Sequence, residues 1–409
     1  MAAYFMGIDI GSSETKGILM DESWKPIHTC TAQHVMENPA PHYFEHDAEG
    51  VWWHDFCAVS QALLAEAGIS PAEIAGVGAS VLGCDCLPVD EHCRPLRKAI
   101  LYGIDARCQG EIEWLTEHFG EDGVIERFGH PVCSDDMAAK ILWVKNHEPE
   151  VYAKTYKFLT GSSYITAKLT GNYVIDQFLA KAAFRPLYRE DGSINEAECG
   201  LFCRPDQLCE PRVVTDLAGH VTAEAAKETG LLPGTPVIVS SGDSTSEAVS
   251  VGIVQPGEVM FQFGSSLFFY YCADHAVTDP RVHGGNYTVP GTYSVSGGTN
   301  AAGTLTRWVR DTFFDLVEQE KAGGPNAFAA MTDYLPESSE GLICLPYLAG
   351  ERMPINDPNA KGVLFGLTLN HDRGHIYRAA LEGASYGDAL MAAIGTHAIS
   401  HFDDLKSLI

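Results

Sequence analysis

The sequence predicts an α/β chain of two domains, on three observations. Its 409 residues exceed what one compact core organises. Short apolar strand patterns alternate with helical ones along its length. A glycine-rich strand–turn unit also opens each half, GIDIGSSETKG in the first and MFQFGSSLFFYY in the second, which hints at a duplicated core. The boundary is expected near Gly252 to Gly257, giving domains 1–253 and 254–409.

The elements follow in order. YFMGIDIGSSETKGILMD reads as strand, turn, strand, a β-hairpin rather than a strand-to-helix phosphate loop. Val51 to Ala67 has the spacing of an amphipathic helix, and IAGVGASVLGCDCLPVD follows as a buried strand. Ala138 to Leu169 is mostly helical in pattern, and KLTGNYVID adds a turn and a strand. A Pro/Gly turn leads to a buried strand at Val237 to Ser240 and a helix from Thr245, and a second Pro-Gly turn leads to a strand ending in Gly-Ser-Ser.

Composition narrows the function. A formal charge of −27 repels nucleic-acid phosphates and anionic membrane surfaces, so a phosphate site has to be local. No apolar stretch approaches a membrane span, the start lacks a signal-peptide pattern, and a cytoplasmic protein is expected. The 12 cysteines are scattered without a paired zinc pattern, which fits reduced, buried thiols.

Phosphoryl transfer needs donors around the phosphates, carboxylate to hold Mg²⁺ and a base for the attacking hydroxyl. Asp9 ends a buried strand, and the turn of Gly11, Ser12 and Ser13 can form an anion nest, with Lys16 adding charge. The same turn is equally readable as a structural hairpin. Asp243 follows a buried strand at the carboxyl end where α/β folds place their sites, and it is equally readable as a helix cap. The Gly264, Ser265 and Ser266 turn and SGGTNAAG are further candidate cradles.

The run LPYLAGERMPINDPNAKGVLFGLTLNHDRGHIYRAALEGASYG is more specific. It resembles the second signature of the FGGY carbohydrate kinases, through Gly350-Glu351-Arg352, Pro354, Asp357-Pro358, Gly362, Gly366-Leu367, His375, Arg378-Ala379 and Glu382-Gly383. IDIGSSETKG is similar to that family's first phosphate motif, SSGDSTSEAVSVG to its catalytic segment, and AILYGIDAR to its sugar-binding segment.

The resemblance implies two ribonuclease-H-like domains of the actin/hexokinase ATPase type, with a cleft between them. It implies ATP and Mg²⁺, with Asp243 as general base and sugar contact, and Asp9 at the metal. Ser12, Ser13, Lys16, Gly264, Ser265, Ser266, Gly298 and Asn300 would hold the nucleotide, while Gly83, Cys84, Asp105 and Arg107 would line the sugar site. Gly83 and Cys84 stand where glycerol kinases carry Arg-Glu and xylulokinases carry Met-His, and Phe178-Leu179 replace a usual serine-containing segment. Uncharged residues at 83 and 84 point to a ketopentose such as xylulose. The alternatives are glycerol, a tetritol or a pentitol, or a sugar-binding protein without turnover. Relatives continue into a GGGA-type adenine motif, so a shortened carboxyl-terminal domain with weakened ATP binding is expected; self-association as a homodimer is left open.

Overall fold

A computed structural model of the chain describes residues 3–279, 282–351, 353, 355, 357 and 359–395, with side chains from 386 onward excepted. It has a first unit, Met1–Ser250 with Asn286–Pro290, and a second, Val251–Gly285 with Gly291–Ile409.

The first unit is built on one sheet that begins with the expected hairpin. β1 (Tyr4–Ile10) and β2 (Glu14–Met20) pair antiparallel, and β3 (Pro26–Gln33) extends the meander on the far side of β2. In β1 the period-two alternation buries Met6, Ile8 and Ile10 and turns Asp9 to the opposite face. β4 (Ile74–Val81) lies parallel to β1 on the other side. A short strand, β5 (Val174–Asp176), lies outside this sheet. β6 (Leu217–His220) and β7 (Pro236–Ile238) continue the sheet to the order β6-β7-β4-β1-β2-β3, with β8 (Ser241–Gly242) also parallel to β4.

The strand expected at Val237 to Ser240 is therefore split. Ser240 adopts φ +70, a left-handed conformation that breaks the run between β7 and β8. Its hydroxyl compensates by accepting the Ala79 amide at 3.0 Å.

Helices cover the sheet. α1 (His54–Ala67) buries Phe56, Val59 and Leu63 against β1 to β3 and ends at Gly68, φ 65. The helical pattern from Val51 begins in a wider turn, Ala48–Trp53, whose Trp52 is fully buried. Gly17 allows the close approach of α1, since a Cβ there would lie 2.3 Å from Val59. α2 (Met137–His147) and α3 (Gly161–Thr170) fill the expected helical middle, and α3 packs on β4 through β8. Fully burying a side chain the size of Phe56, Phe128 or Phe158 contributes about 2 kcal/mol each. α4 spans Asp243–Ser250, two residues earlier than the sequence pattern suggests.

The second unit repeats the opening device. β9 (Val259–Phe263) and β10 (Leu267–Ala273) form an antiparallel hairpin in the sheet β9-β10-β12-β11, with β11 at His283–Asn286 and β12 at Tyr293–Thr299. α5 (Gly303–Phe313) and α6 (Arg373–Gly395) pack together, and α6 lies against β10 and β12. Arg352, Pro354 and Pro358 of the carboxyl-terminal signature lie outside the described residues.

Candidate active site

Parallel register brings the two carboxylates together. Asp9 of β1 stands beside Ser80 of β4, which stands beside Ser241 of β8, and Asp243 follows two residues on. The Ser80 hydroxyl donates to Asp9 Oδ1 at 2.7 Å, while Lys16 Nζ, opposite on β2, is 3.9 Å from Asp9 Oδ2. Asp9 stays partly exposed at the carboxyl end of its strand.

Asp243 opens α4, but its carboxylate does not cap the second or third helical amide. Oδ1 accepts the adjacent Ser244 N–H at 2.8 Å. Burial, reinforced by the charges of Asp9 and Glu247, raises this carboxyl to about 7 against the opposing pull of the Ser244 amide. The turn beneath it is tied down: Ser241 Oγ donates to Asp176 Oδ2 and lies 2.9 Å from Thr245 Oγ1, while Thr245 and Ser246 hydroxyls donate to the Gly242 carbonyl. Burial raises Asp176 to about 6, opposed by that serine bond.

Gly83 sits against this turn. A Cβ on Gly242 would meet Gly83 Cα at 3.2 Å, and one on Gly83 would lie 4.0 Å from Asp243 Oδ1 and 3.9 Å from Leu179. The neighbouring Cys84 is half-buried, and its carbonyl accepts from the buried Lys140. Asp85, which the sequence reading passes over, is fully buried; its Oδ1 accepts the Tyr102 amide at 3.0 Å and its Oδ2 takes no hydrogen bond among the described residues. Burial, with the charges of Asp243 and Asp135, pushes Asp85 well above the usual carboxylate range despite Lys140.

The phosphate-type turn is held from behind by two histidines that no local motif announces. His34 Nε2 lies 3.0 Å from the Gly11 carbonyl, His46 Nε2 lies 3.2 Å from the Ser12 carbonyl, and the His34 amide bonds the Ser13 carbonyl. The Gly11 amide closes the turn onto the Glu14 carbonyl at 3.0 Å, but among the described residues none takes a hydrogen bond from the amide or hydroxyl of Ser12 or Ser13. Ser13 and Lys16 are exposed.

Asp105 and Arg107 differ from expectation. Both carboxylate oxygens of the fully buried Asp105 are engaged by the Phe44 and Arg107 amides and the Arg107 guanidinium, which also reaches Glu45 and lies 4.3 Å from the Tyr43 ring centre. The pair braces the domain, and both side chains are closed off from solvent. The adjoining loop is instead fixed through Gly103, whose amide donates to Asp135 at 2.6 Å and whose carbonyl accepts from Ser134 at 2.8 Å.

In the second unit Gly264 and Ser265 are exposed and Ser266 half-buried, but their carbonyls serve α5: Gly264 accepts from Gly303, and Ser265 accepts from Ala302 and Thr304. Gly298 is buried in β12, where a Cβ would lie 2.1 Å from the Leu267 carbonyl, so its glycine serves strand packing. Asn300 bonds Glu351 through its amide and the Ala349 carbonyl through its side chain.

Residues 4–250 match the N-terminal domain, and residues 259–396 the C-terminal domain, of the FGGY family of carbohydrate kinases. The chain belongs to the FGGY carbohydrate kinases. It is 29% identical over 386 residues to a xylulose kinase of Escherichia coli, covering 93% of this chain and 76% of that one. It is 28% identical over 391 residues to a gluconokinase of Bacillus licheniformis, covering 94% and 75%. The solved xylulose kinase of Rhodospirillum rubrum superposes with a TM-score of 0.85 at 28% identity, over 96% of this chain and 78% of that chain. The fold is thus the two-domain actin/hexokinase type, and the protein is an ATP-dependent sugar kinase. All 12 cysteines are free thiols. Among the described residues no helix is long and apolar enough to cross a membrane.

Proposed function

We propose that this FGGY kinase phosphorylates a hydroxyl of a small neutral ketose, a ketopentose such as xylulose, with Asp243 as the general base. The observation that carries the reading is Asp243 itself: a carboxyl raised to about 7, beside Asp9 and facing the space that Gly83 leaves. A base with that proton affinity is matched to accepting a hydroxyl proton near neutral pH.

Asp9 and Ser80 offer oxygen donors only, which suits the hard cation Mg²⁺ at this place. When bound, such an ion supplies charge neutralisation to the phosphates. The turn offers the amides and hydroxyls of Ser12 and Ser13 to the ATP phosphates, with Lys16 adding charge, while the Gly11 amide closes the turn onto the Glu14 carbonyl.

A neutral sugar is favoured over gluconate because the side-chain charges that act on Asp243 are acidic, Asp9 and Glu247. A substrate carboxylate would meet like charge there. ADP release measured across xylulose, ribulose, gluconate and glycerol tests the reading. A ketopentose should give the highest kcat/KM; preference for gluconate or glycerol would refute the substrate assignment.

A further inference from the structure

We infer that the loop before α2 forms a binding site for a divalent, borderline-soft cation such as Zn²⁺, from His130, Cys133 and Asp136. The donor atoms of the three side chains lie within 4.8 Å of one another.

Each donor is oriented by the loop. His130 Nδ1 lies 2.8 Å from the Pro131 carbonyl, which can only accept, so Nδ1 carries the hydrogen. In the neutral ring the lone pair then falls on Nε2, and Nε2 faces Asp136 Oδ1 at 3.5 Å. Asp136 occupies the position before α2 but makes no side-chain capping bond to it. Its carboxylate turns back, accepting the Cys133 amide at 2.8 Å, and the residue is 1% exposed.

A carboxylate this buried requires positive charge nearby. Lys140 and a proton on His130 both supply it, but neither uses the thiol held at the same point. A metal ion uses all three. Imidazole, thiolate and carboxylate are a donor set that Zn²⁺ accepts, with a fourth position left for water, whereas Mg²⁺ avoids sulfur. On binding, the ion replaces the Cys133 thiol proton, which leaves to solvent.

Position gives the site a consequence. Ser134 and Asp135, which grip both polar groups of Gly103, lie between two of the ligands. An ion there would stiffen that clamp. The site stands independently of the ketose reading, because its readout is metal binding.

The test is a Co²⁺ titration of the purified full chain, reduced and metal-free, followed by absorbance. One equivalent should develop a thiolate-to-cobalt charge-transfer band that Zn²⁺ displaces and Mg²⁺ does not. Cys133→Ser should abolish the band, and His130→Gln should weaken binding by roughly tenfold or more, as loss of one coordinate bond requires. If Cys133→Ser fails to fold, by circular dichroism, the His130→Gln titration decides. A wild-type chain without the band, a folded Cys133→Ser chain that keeps it, or unchanged affinity in His130→Gln would overturn the assignment.

Discussion

Trp52 donates its indole N–H to His46 Nδ1 at 3.0 Å, and this settles which nitrogen of His46 meets the Ser12 carbonyl. With Nδ1 accepting, Nε2 must carry the hydrogen that bonds the turn. Burial, aided by the neighbouring His34, lowers His46 to about 4, so the neutral tautomer persists through physiological pH.

His46→Ala should therefore loosen the turn and raise KM for ATP by roughly tenfold, the scale of one lost buried hydrogen bond, with little change in KM for sugar. His46→Gln, which can still donate, should recover most of the loss. Steady-state kinetics with each substrate varied separates the two. An equal rise in both KM values would mean that His46 serves only the core.

Stability gives a second reading of the same residue. His46 binds a proton below about 6.5 when unfolded and only below about 4 when folded, so its neutral burial stabilises the fold above pH 6.5 and that contribution is lost as pH falls toward 4. Wild type should thus lose up to about 3 kcal/mol relative to His46→Gln between those limits. Denaturant melts of both proteins across that window measure it. Comparison with the variant is needed because Asp176 and Asp243 titrate in the opposite sense.

Asp243 illustrates that opposite sense. Its folded carboxyl, raised to about 7, is destabilising when ionised, so replacing it by asparagine should raise the melting temperature at pH 8. The advantage should shrink as pH falls below 7, where the folded wild type gains its proton. A thermal shift independent of pH would show that Asp243 is not held at raised proton affinity.

Arg107 should behave as structure. Arg107→Ala leaves Asp105 buried without its counter-charge and should cost about 3 kcal/mol or more of stability. A chemical melt reads this directly; a variant with unchanged stability but a raised KM for sugar would return Arg107 to the binding site.

Gly83→Ala should separate space from stability. Its added methyl meets Leu179 and Asp243 only at ordinary contact distance, so stability should stay within about 0.5 kcal/mol, while KM for sugar rises and KM for ATP does not. Kinetics in which neither KM changes would mean that no substrate enters beside Gly83.

The hairpin, the alternation that turns Asp9 away from the core, and the strand-end place of Asp243 were legible because each depends on neighbours in sequence. His34 and His46 were not, since their bonds to Gly11 and Ser12 are made across the fold and leave no local pattern. Asp105 and Arg107 show the converse. Their spacing is legible, but only the burial of both side chains, and the engagement of Asp105 by Phe44, reveals that the pair is sealed. Gly298 likewise reads as a cradle in sequence, while strand pairing gives its missing side chain to the Leu267 carbonyl.

The central claim, that Asp243 is the base of the sugar kinase, is tested most directly by kcat/KM for the preferred sugar across pH 5 to 9, for wild type and Asp243→Asn under saturating ATP. Wild-type activity should fall about tenfold per pH unit below about 7, as the carboxyl takes up its proton, and the variant should lose roughly 10²-fold or more and the pH dependence with it. A variant that turns over at the wild-type rate, or that keeps the same acid limb, would contradict the account.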